Sequence, residues 1–287
     1  MVLISRFDPW RSGLCTCPVK LTFNPYTGCD HGCVYCYASS YVRRFSECRP
    51  KKDVVRRLMR EAGVLNGELL SVANSSDPYP QAEAELMVMR GCLRVLSECK
   101  CRVQVVTKSP LVTRDVDLLG GILSMVSLTV TMDDDQLAGL LEPGAPAPSA
   151  RLRAVETLVR KGVPVSVRID PIIPYVSDDP EGLVRTLAGL GVRHVTCSTF
   201  KVRPDGWRRF SLAMPDVAAS LRPLYFELGE SRAGYRLLPE NLRFRLMERA
   251  GGLARRYGMK FGTCREGFGH LNTAACDGSW LLKEKLS

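Results

Sequence analysis

Cys29, Cys33 and Cys36 lie within one short run, Gly28-Cys29-Asp30-His31-Gly32-Cys33-Val34-Tyr35-Cys36-Tyr37. The CxxxCxxC spacing puts three thiolates on a single loop, one fewer than a closed tetrahedral site or a fully ligated four-iron cluster requires. A cubane held by three thiolates keeps one iron open, and open coordination positions are where metal chemistry takes place. A structural zinc would need a fourth ligand nearby. His31 is packed inside the first interval and suits a neighbour of the metal rather than a ligand. A lone CxxC also occurs in zinc ribbons and redox dithiols. The aromatic Tyr35 immediately before the last cysteine narrows the pattern to CxxxCxΦC, with Φ aromatic.

With that motif the chain resembles the radical S-adenosylmethionine (SAM) superfamily. The resemblance implies a [4Fe-4S] cluster on Cys29, Cys33 and Cys36 whose free iron chelates the amino and carboxylate groups of SAM. It also implies reductive cleavage of the sulfonium to give a 5′-deoxyadenosyl radical. The lead-in Leu21-Thr22-Phe23-Asn24-Pro25-Tyr26-Thr27-Gly28 resembles one branch, the spore photoproduct lyase-like or DNA repair photolyase-like proteins. Further landmarks follow in order: Ser75-Ser76-Asp77-Pro78-Tyr79-Pro80, Thr107-Lys108-Ser109, Glu142-Pro143, Asp170-Pro171-Ile172-Ile173-Pro174 and Cys264-Arg265-Glu266-Gly267-Phe268. The resemblance spans about residues 15–200 plus that last tail pattern, and its motifs are specific jointly rather than singly.

The resemblance implies SAM-binding roles for four side chains. Ser76 suits the methionyl amino group because a hydroxyl both donates and accepts. Lys108 would pair with the carboxylate, Thr129 would meet the ribose hydroxyls, and Arg168 is a second carboxylate candidate. One departure stands out. Spore photoproduct lyase proper has a hydrogen-donating cysteine two residues before the serine of this loop, and here that position is Asn74. An amide N–H bond is too strong for that task, so repair of the spore thymine dimer by the known route is not expected. Tyr79 and Cys197 are the remaining hydrogen-atom or radical-relay candidates. For each, packing is the simpler role, since free cysteine buries readily.

Four more cysteines suggest a second metal site. Cys15 and Cys17 form a CxC before the first strand, and Cys264 and Cys276 flank the tail. A CxC pair cannot easily bridge itself. Two such pairs brought together would offer four thiolates to a second iron–sulfur cluster or to zinc.

The elements that must position these residues follow from periodicity. Short β-branched runs predict strands at Lys20–Asn24, Leu69–Ala73, Val103–Thr107, Val126–Thr131, Val163–Ile169 and Val192–Ser198. Helical patterns fall between them at Lys52–Ala62, Glu83–Glu98, Arg114–Leu123, Arg151–Lys161 and Glu181–Leu190. Such alternation predicts an α/β fold with a parallel sheet and right-handed crossovers, so that the strand C-termini share one face. The resemblance implies the same architecture, a partial (β/α)6 barrel. Beyond residue 200 the sequence predicts a basic loop at Arg203–Arg209, helices around Pro215–Leu228 and Asn241–Tyr257, a strand at Met259–Thr263 and an irregular tail. The Pro/Ala-rich piece Glu142–Ala150 reads as a loop. The expected organisation is an N-terminal arm (1–18), a barrel core (19–200) and a C-terminal helical and irregular cap (201–287).

Composition bounds the remaining choices. The chain has 287 residues, 45% of them hydrophobic, enough for one large core, and no run of 18 apolar residues that would span a membrane. Its opening residues, Met1 to Asp8, do not read as a secretory signal. Twelve cysteines in such a chain read as metal ligands and buried thiols in a reducing cytoplasm. The net charge of +10 is compatible with a nucleic-acid partner, although basic runs such as Lys51-Lys52 and Arg255-Arg256 read more simply as the solvated faces of helices. The cluster would need a one-electron reductant such as a ferredoxin or flavodoxin. A second class stays open from sequence: a non-catalytic iron–sulfur or zinc protein that transfers electrons or binds nucleic acid.

Overall fold

The computed structural model describes residues 2–7 and 13–284. Met1, residues 8–12 of the expected arm and residues 285–287 of the expected cap lie outside the described residues. All six expected barrel strands form, and a short strand precedes them. They are β1 (Ser5–Arg6), β2 (Leu21–Phe23), β3 (Asn66–Val72), β4 (Lys100–Thr107), β5 (Ser124–Thr129), β6 (Val165–Ile172) and β7 (His194–Thr199). An eighth, β8 (Lys260–Thr263), joins the same sheet. The strands neighbour one another in chain order. Every pairing from β2 to β8 is parallel, and β1 pairs antiparallel with β2. This mostly parallel sheet is the open barrel that the alternating pattern predicts.

Helices α1 (Val54–Ala62), α2 (Val88–Ser97), α3 (Val116–Gly121), α4 (Asp135–Leu141), α5 (Pro148–Arg160) and α6 (Glu181–Gly189) fill the crossovers. Each buries one stripe. In α1 the buried positions are Val54, Leu58 and Ala62, the i, i+4, i+8 spacing of an amphipathic helix. Met89 and Leu93 of α2, Val155 and Leu158 of α5, and Val184 and Leu187 of α6 continue that layer over the sheet valines. Every residue of β5 and β7 is buried, as expected of parallel strands covered on both faces.

The C-terminal third adds α7 (Pro204–Ala213), α8 (Pro215–Phe226) and α9 (Glu240–Arg256). Helix α7 replaces the basic loop expected at Arg203–Arg209. Pro204 occupies the first turn after an extended Arg203, where a proline is pre-set for helix. Trp207 then turns inward, with its ring centroid 5.1 Å from that of Phe226. Two further expectations are refined. The helix expected over Glu83–Glu98 breaks at Met87, which adopts a left-handed conformation with φ of 51°. The loop expected at Glu142–Ala150 ends early, because α5 starts at Pro148. Helix α4, not expected from periodicity, starts where the Asp134 carboxylate accepts the N–H groups of Gln136 and Leu137, a standard N-cap.

The tail is less irregular than expected. Leu281 and Leu282 pack on Leu69 and Met125 of the barrel strands. The buried Lys20 ammonium meets Asp277 at 2.6 Å, and Gln104 donates to the Asp277 carbonyl at 2.7 Å. The tail therefore fills the barrel interior rather than covering its outside. No helix among the described residues is long and apolar enough to cross a membrane.

Candidate active site

The loop after β2 carries Cys29, Cys33 and Cys36, and neighbours fix it from several sides. The Cys29 N–H donates to the Phe45 carbonyl at 2.8 Å, and the Val34 N–H to the Leu141 carbonyl at 2.9 Å. From the next turn, the Gly144 N–H reaches the His31 carbonyl at 2.9 Å. A Cβ at Gly144 would come 2.2 Å from the Asp30 carbonyl oxygen, so only glycine allows this approach. From the cap, Arg209 donates to the Cys36 carbonyl at 3.0 Å. Val34 and Tyr35 also belong to the apolar core of α7 and α8. The cap thus holds the cysteine loop directly.

The three cysteines line one cavity of about 540 Å³, set at the C-terminal ends of the strands, where chemistry collects in barrels of this kind. The four side chains assigned to SAM line it too: Ser76 after β3, Lys108 after β4, Thr129 on β5 and Arg168 on β6. Asn74 shares the wall, and its amide donates to Thr22 Oγ1 at 2.7 Å. Tyr79 and Cys197 are not on this wall. Both lie in the hydrophobic core, and burial raises the Cys197 thiol far above its ordinary range, with Asp170 adding to it.

Carboxylates organise the cations around the cavity. Asp77 accepts from Thr107 Oγ1 and from the Lys108 N–H, each at 2.7 Å, and from the Tyr79 N–H at 2.9 Å. It therefore ties the β3 loop to the end of β4. Glu142 lies fully buried between the Arg151 guanidinium and the Lys108 ammonium, the latter at 3.4 Å. It also accepts from the Tyr35 hydroxyl and, at 2.8 Å, from Thr131. Burial alone would raise its pKa, but Lys108 and Arg151 outweigh burial and lower it to about 2. Asp170 behaves similarly: burial pushes it up, yet Arg168 and Lys201 hold it below the usual carboxylate range. Glu266, from the tail landmark, joins Lys201 at 2.6 Å, the Thr199 N–H at 2.7 Å and Arg243 at 3.2 Å.

Burial pushes the Cys33 thiol up to about 12 against the opposing pull of Lys108, and it raises Cys29 and Cys36 as well. Such thiols bind metal by giving up protons, so cluster loading and deprotonation are one event. The donor set fits the cluster: three sulfurs from one pinned loop face a cavity that has room for a further ligand. Sequence reasoning quoted Asp77, Glu142, Asp170 and Glu266 only as landmarks. For Asp77 and Glu266 the acceptor role lies in partners 30 or more positions away, Thr107 and Thr199. Tyr37, Tyr41, Lys201 and Arg265 also line the cavity; Tyr37 and Arg265 fall within quoted motifs without an assigned role, and Tyr41 and Lys201 carried no sequence signal.

Comparison with known proteins agrees with this geometry. The family model described as "Radical SAM superfamily" matches residues 23–187. An uncharacterized protein of Mycobacterium tuberculosis is 28% identical over 263 residues, covering 84% of this chain and 75% of its own length. An uncharacterized protein of the Acidianus two-tailed virus is 30% identical over 193 residues, covering 58% of this chain and 63% of its own length. Among solved structures, spore photoproduct lyase complexed with dinucleoside spore photoproduct superposes with a TM-score of 0.69 at 14% identity, covering 91% of this chain and 79% of that one. SuiB of Streptococcus suis bound to S-adenosylmethionine gives a TM-score of 0.57 at 15% identity, covering 89% of this chain and 53% of that one. At such identities the superpositions show the fold, whereas the family model covers more than half of the chain and includes the cysteine loop. The chain belongs to the radical SAM superfamily and is a radical SAM enzyme, a family that implies a [4Fe-4S] cluster and SAM.

Proposed function

We propose that Cys29, Cys33 and Cys36 hold the [4Fe-4S] cluster and that Ser76, Lys108, Thr129 and Arg168 bind SAM beside it. The single observation that supports this most is that one cavity is lined by all seven side chains. Held by Cys29, Cys33 and Cys36, the cluster would supply the one-electron reduction by which SAM is cleaved. The chain's own residues bind and orient. Lys108 and Arg168 offer two cations to the SAM carboxylate, each already aimed by a partner, Glu142 or Asp170. Apolar and aromatic groups such as Tyr35 and Phe200 wall the cavity and exclude water from a reactive radical. The reductant is a ferredoxin- or flavodoxin-type donor in a reducing cytoplasm.

For the substrate we infer a nucleic-acid component. Tyr37 and Tyr41 stack at the cavity with centroids 6.4 Å apart, and Tyr41 is 41% exposed. The Arg265 guanidinium lies 5.8 Å from the Tyr37 ring and 5.0 Å from the Tyr235 ring. Aromatic faces interleaved with arginine are the usual platform for unpaired bases, and the chain carries a net charge of +10. Asn74 in place of a thiol separates this reaction from spore photoproduct repair.

Fluorescence anisotropy with a single-stranded oligonucleotide tests the substrate class. Binding is expected to weaken steeply between low and moderate salt. Tyr41→Ala is expected to lower affinity by roughly 5- to 150-fold, the effect of losing one base–aromatic stack of ~1–3 kcal/mol. Absent or salt-insensitive binding would move the substrate to a small metabolite or a protein side chain.

A further inference from the structure

Four thiols outside the cluster loop come from the two ends of the chain and meet in the barrel wall. The Sγ atoms of Cys17 and Cys276 lie 3.4 Å apart. The Cys17 N–H donates to Cys15 Sγ, also at 3.4 Å. Cys264 directly follows β8 and is close enough to feel the charge of Cys17. All four are free thiols. Cys17, Cys264 and Cys276 reach the cavity wall.

The surrounding backbone is built to bring them there. Thr196 Oγ1 donates to the Cys276 carbonyl at 2.6 Å. The Thr263 N–H donates to Asn272 Oδ1 at 2.7 Å, and Asn272 in turn donates to Thr16 Oγ1 at 3.1 Å. The Gly267 N–H reaches the Leu14 carbonyl at 3.2 Å. A Cβ on Gly262 would come 2.5 Å from the Cys276 Cα, so glycine in β8 is what lets the tail pass so close. Arm and tail are therefore both fastened to β8, with the thiols between them. Lys20 and Arg168 stand beside the sulfurs as cations, which suits a site that gathers negative thiolates.

We propose that Cys15, Cys17, Cys264 and Cys276 bind one divalent, zinc-class ion as a closed tetrathiolate that staples the N-terminal arm to the C-terminal tail across the gap between β1 and β8. The spacing favours one ion over a second cubane. With metal–sulfur bonds of about 2.3 Å, a tetrahedron places its sulfurs ~3.8 Å apart, near the Cys17–Cys276 separation. In a cubane each thiolate sits on a different iron, so the sulfurs stand much further apart. No three His, Cys, Asp or Glu side chains among the described residues already surround one point at metal-binding distance. Cys15 and Cys264 must therefore move onto the Cys17–Cys276 pair as the thiols lose their protons, and docking of the arm is coupled to the metal. The proposal does not rest on the substrate, but Cys17, Cys264 and Cys276 line the same cavity as the side chains proposed to bind SAM.

The test uses the full chain with Cys29→Ala, Cys33→Ala and Cys36→Ala combined, so that the cluster loop cannot contribute. Purified under reducing conditions and loaded with Zn²⁺ or Co²⁺, it should retain about one ion per chain by elemental analysis. The Co²⁺ form should show the intense visible bands of a tetrahedral tetrathiolate. Adding Cys17→Ser and Cys276→Ser should abolish both. On the wild-type chain, alkylation read by mass spectrometry should find Cys15, Cys17, Cys264 and Cys276 protected by Zn²⁺ and released by a chelator, a readout that does not depend on how the variants fold. The proposal is overturned if no ion is retained and no protection is seen. It is equally overturned by iron with acid-labile sulfide at these cysteines, or by a Cys17–Cys276 disulfide in the metal-loaded protein.

Discussion

Glu142 decides most at the residue scale. It belongs to a motif, Glu142-Pro143, that sequence reasoning could quote but not interpret, because its partners Tyr35, Lys108, Thr131 and Arg151 are dispersed along the chain. Arg151 is fully buried and depends on this carboxylate. Glu142→Gln is therefore expected to cost roughly 3–5 kcal/mol, since it leaves a buried guanidinium uncompensated; urea denaturation would read this as a lowered midpoint. A loss below 1 kcal/mol would mean that Arg151 finds water or another acceptor. Lys108 makes the complementary prediction. If it receives the SAM carboxylate, Lys108→Gln should weaken SAM binding by tenfold or more in calorimetry while leaving iron content unchanged. Unaltered affinity would confine Lys108 to its pairing with Glu142. Cys29, Cys33 and Cys36, proposed above to hold the cluster, stand out in the sequence because their motif is local. Buried counter-ions do not, because a charge in a sequence does not reveal its burial.

At the scale of elements, periodicity located the strands well, since parallel strands buried on both faces must be apolar runs. It failed where backbone chemistry overrides hydrophobic pattern: at the left-handed Met87 that splits one expected helix, at Pro204 that starts another, and at the Asp134 cap of α4. The element that matters most to the site is the turn between α4 and α5. There Gly144 lies against the cysteine loop at a distance that no side chain permits. Gly144→Ala is expected to push the loops apart at a cost of about 1–3 kcal/mol and to lower the iron retained after anaerobic reconstitution. Wild-type iron content in a destabilised Gly144→Ala would show that the cysteine loop holds its shape without this contact.

Across the whole molecule, the C-terminal tail packs inside the open barrel. The tail supplies Asp277 to the buried Lys20, and its Gly278 and Trp280 lie against Ser166 and His194, which share a 2.8 Å hydrogen bond. Those contacts were not visible as a pattern, whereas the strand expected at Met259–Thr263 forms as β8 and joins the central sheet. Burial lowers the His194 pKa from 6.5 to about 4. The unfolded chain therefore takes up a proton that the native state refuses, and stability should fall as pH drops from 6.5 toward 4. Glu142 adds a second loss below about 4.5, as its lowered carboxyl is protonated more readily in the unfolded state. His194→Asn should flatten the upper part of that acid profile in pH-dependent thermal melts. A profile unchanged by the substitution would assign the loss to other groups.

The central claim is that one cavity joins a three-thiolate cluster to a SAM site that cleaves its ligand. The most direct measurement is anaerobic reconstitution, reduction with dithionite in the presence of SAM, and quantification of 5′-deoxyadenosine for wild type and Cys33→Ala. Deoxyadenosine from wild type alone is the expected result. Reconstituted wild type that binds iron and sulfide yet forms none under a competent reductant would contradict the account.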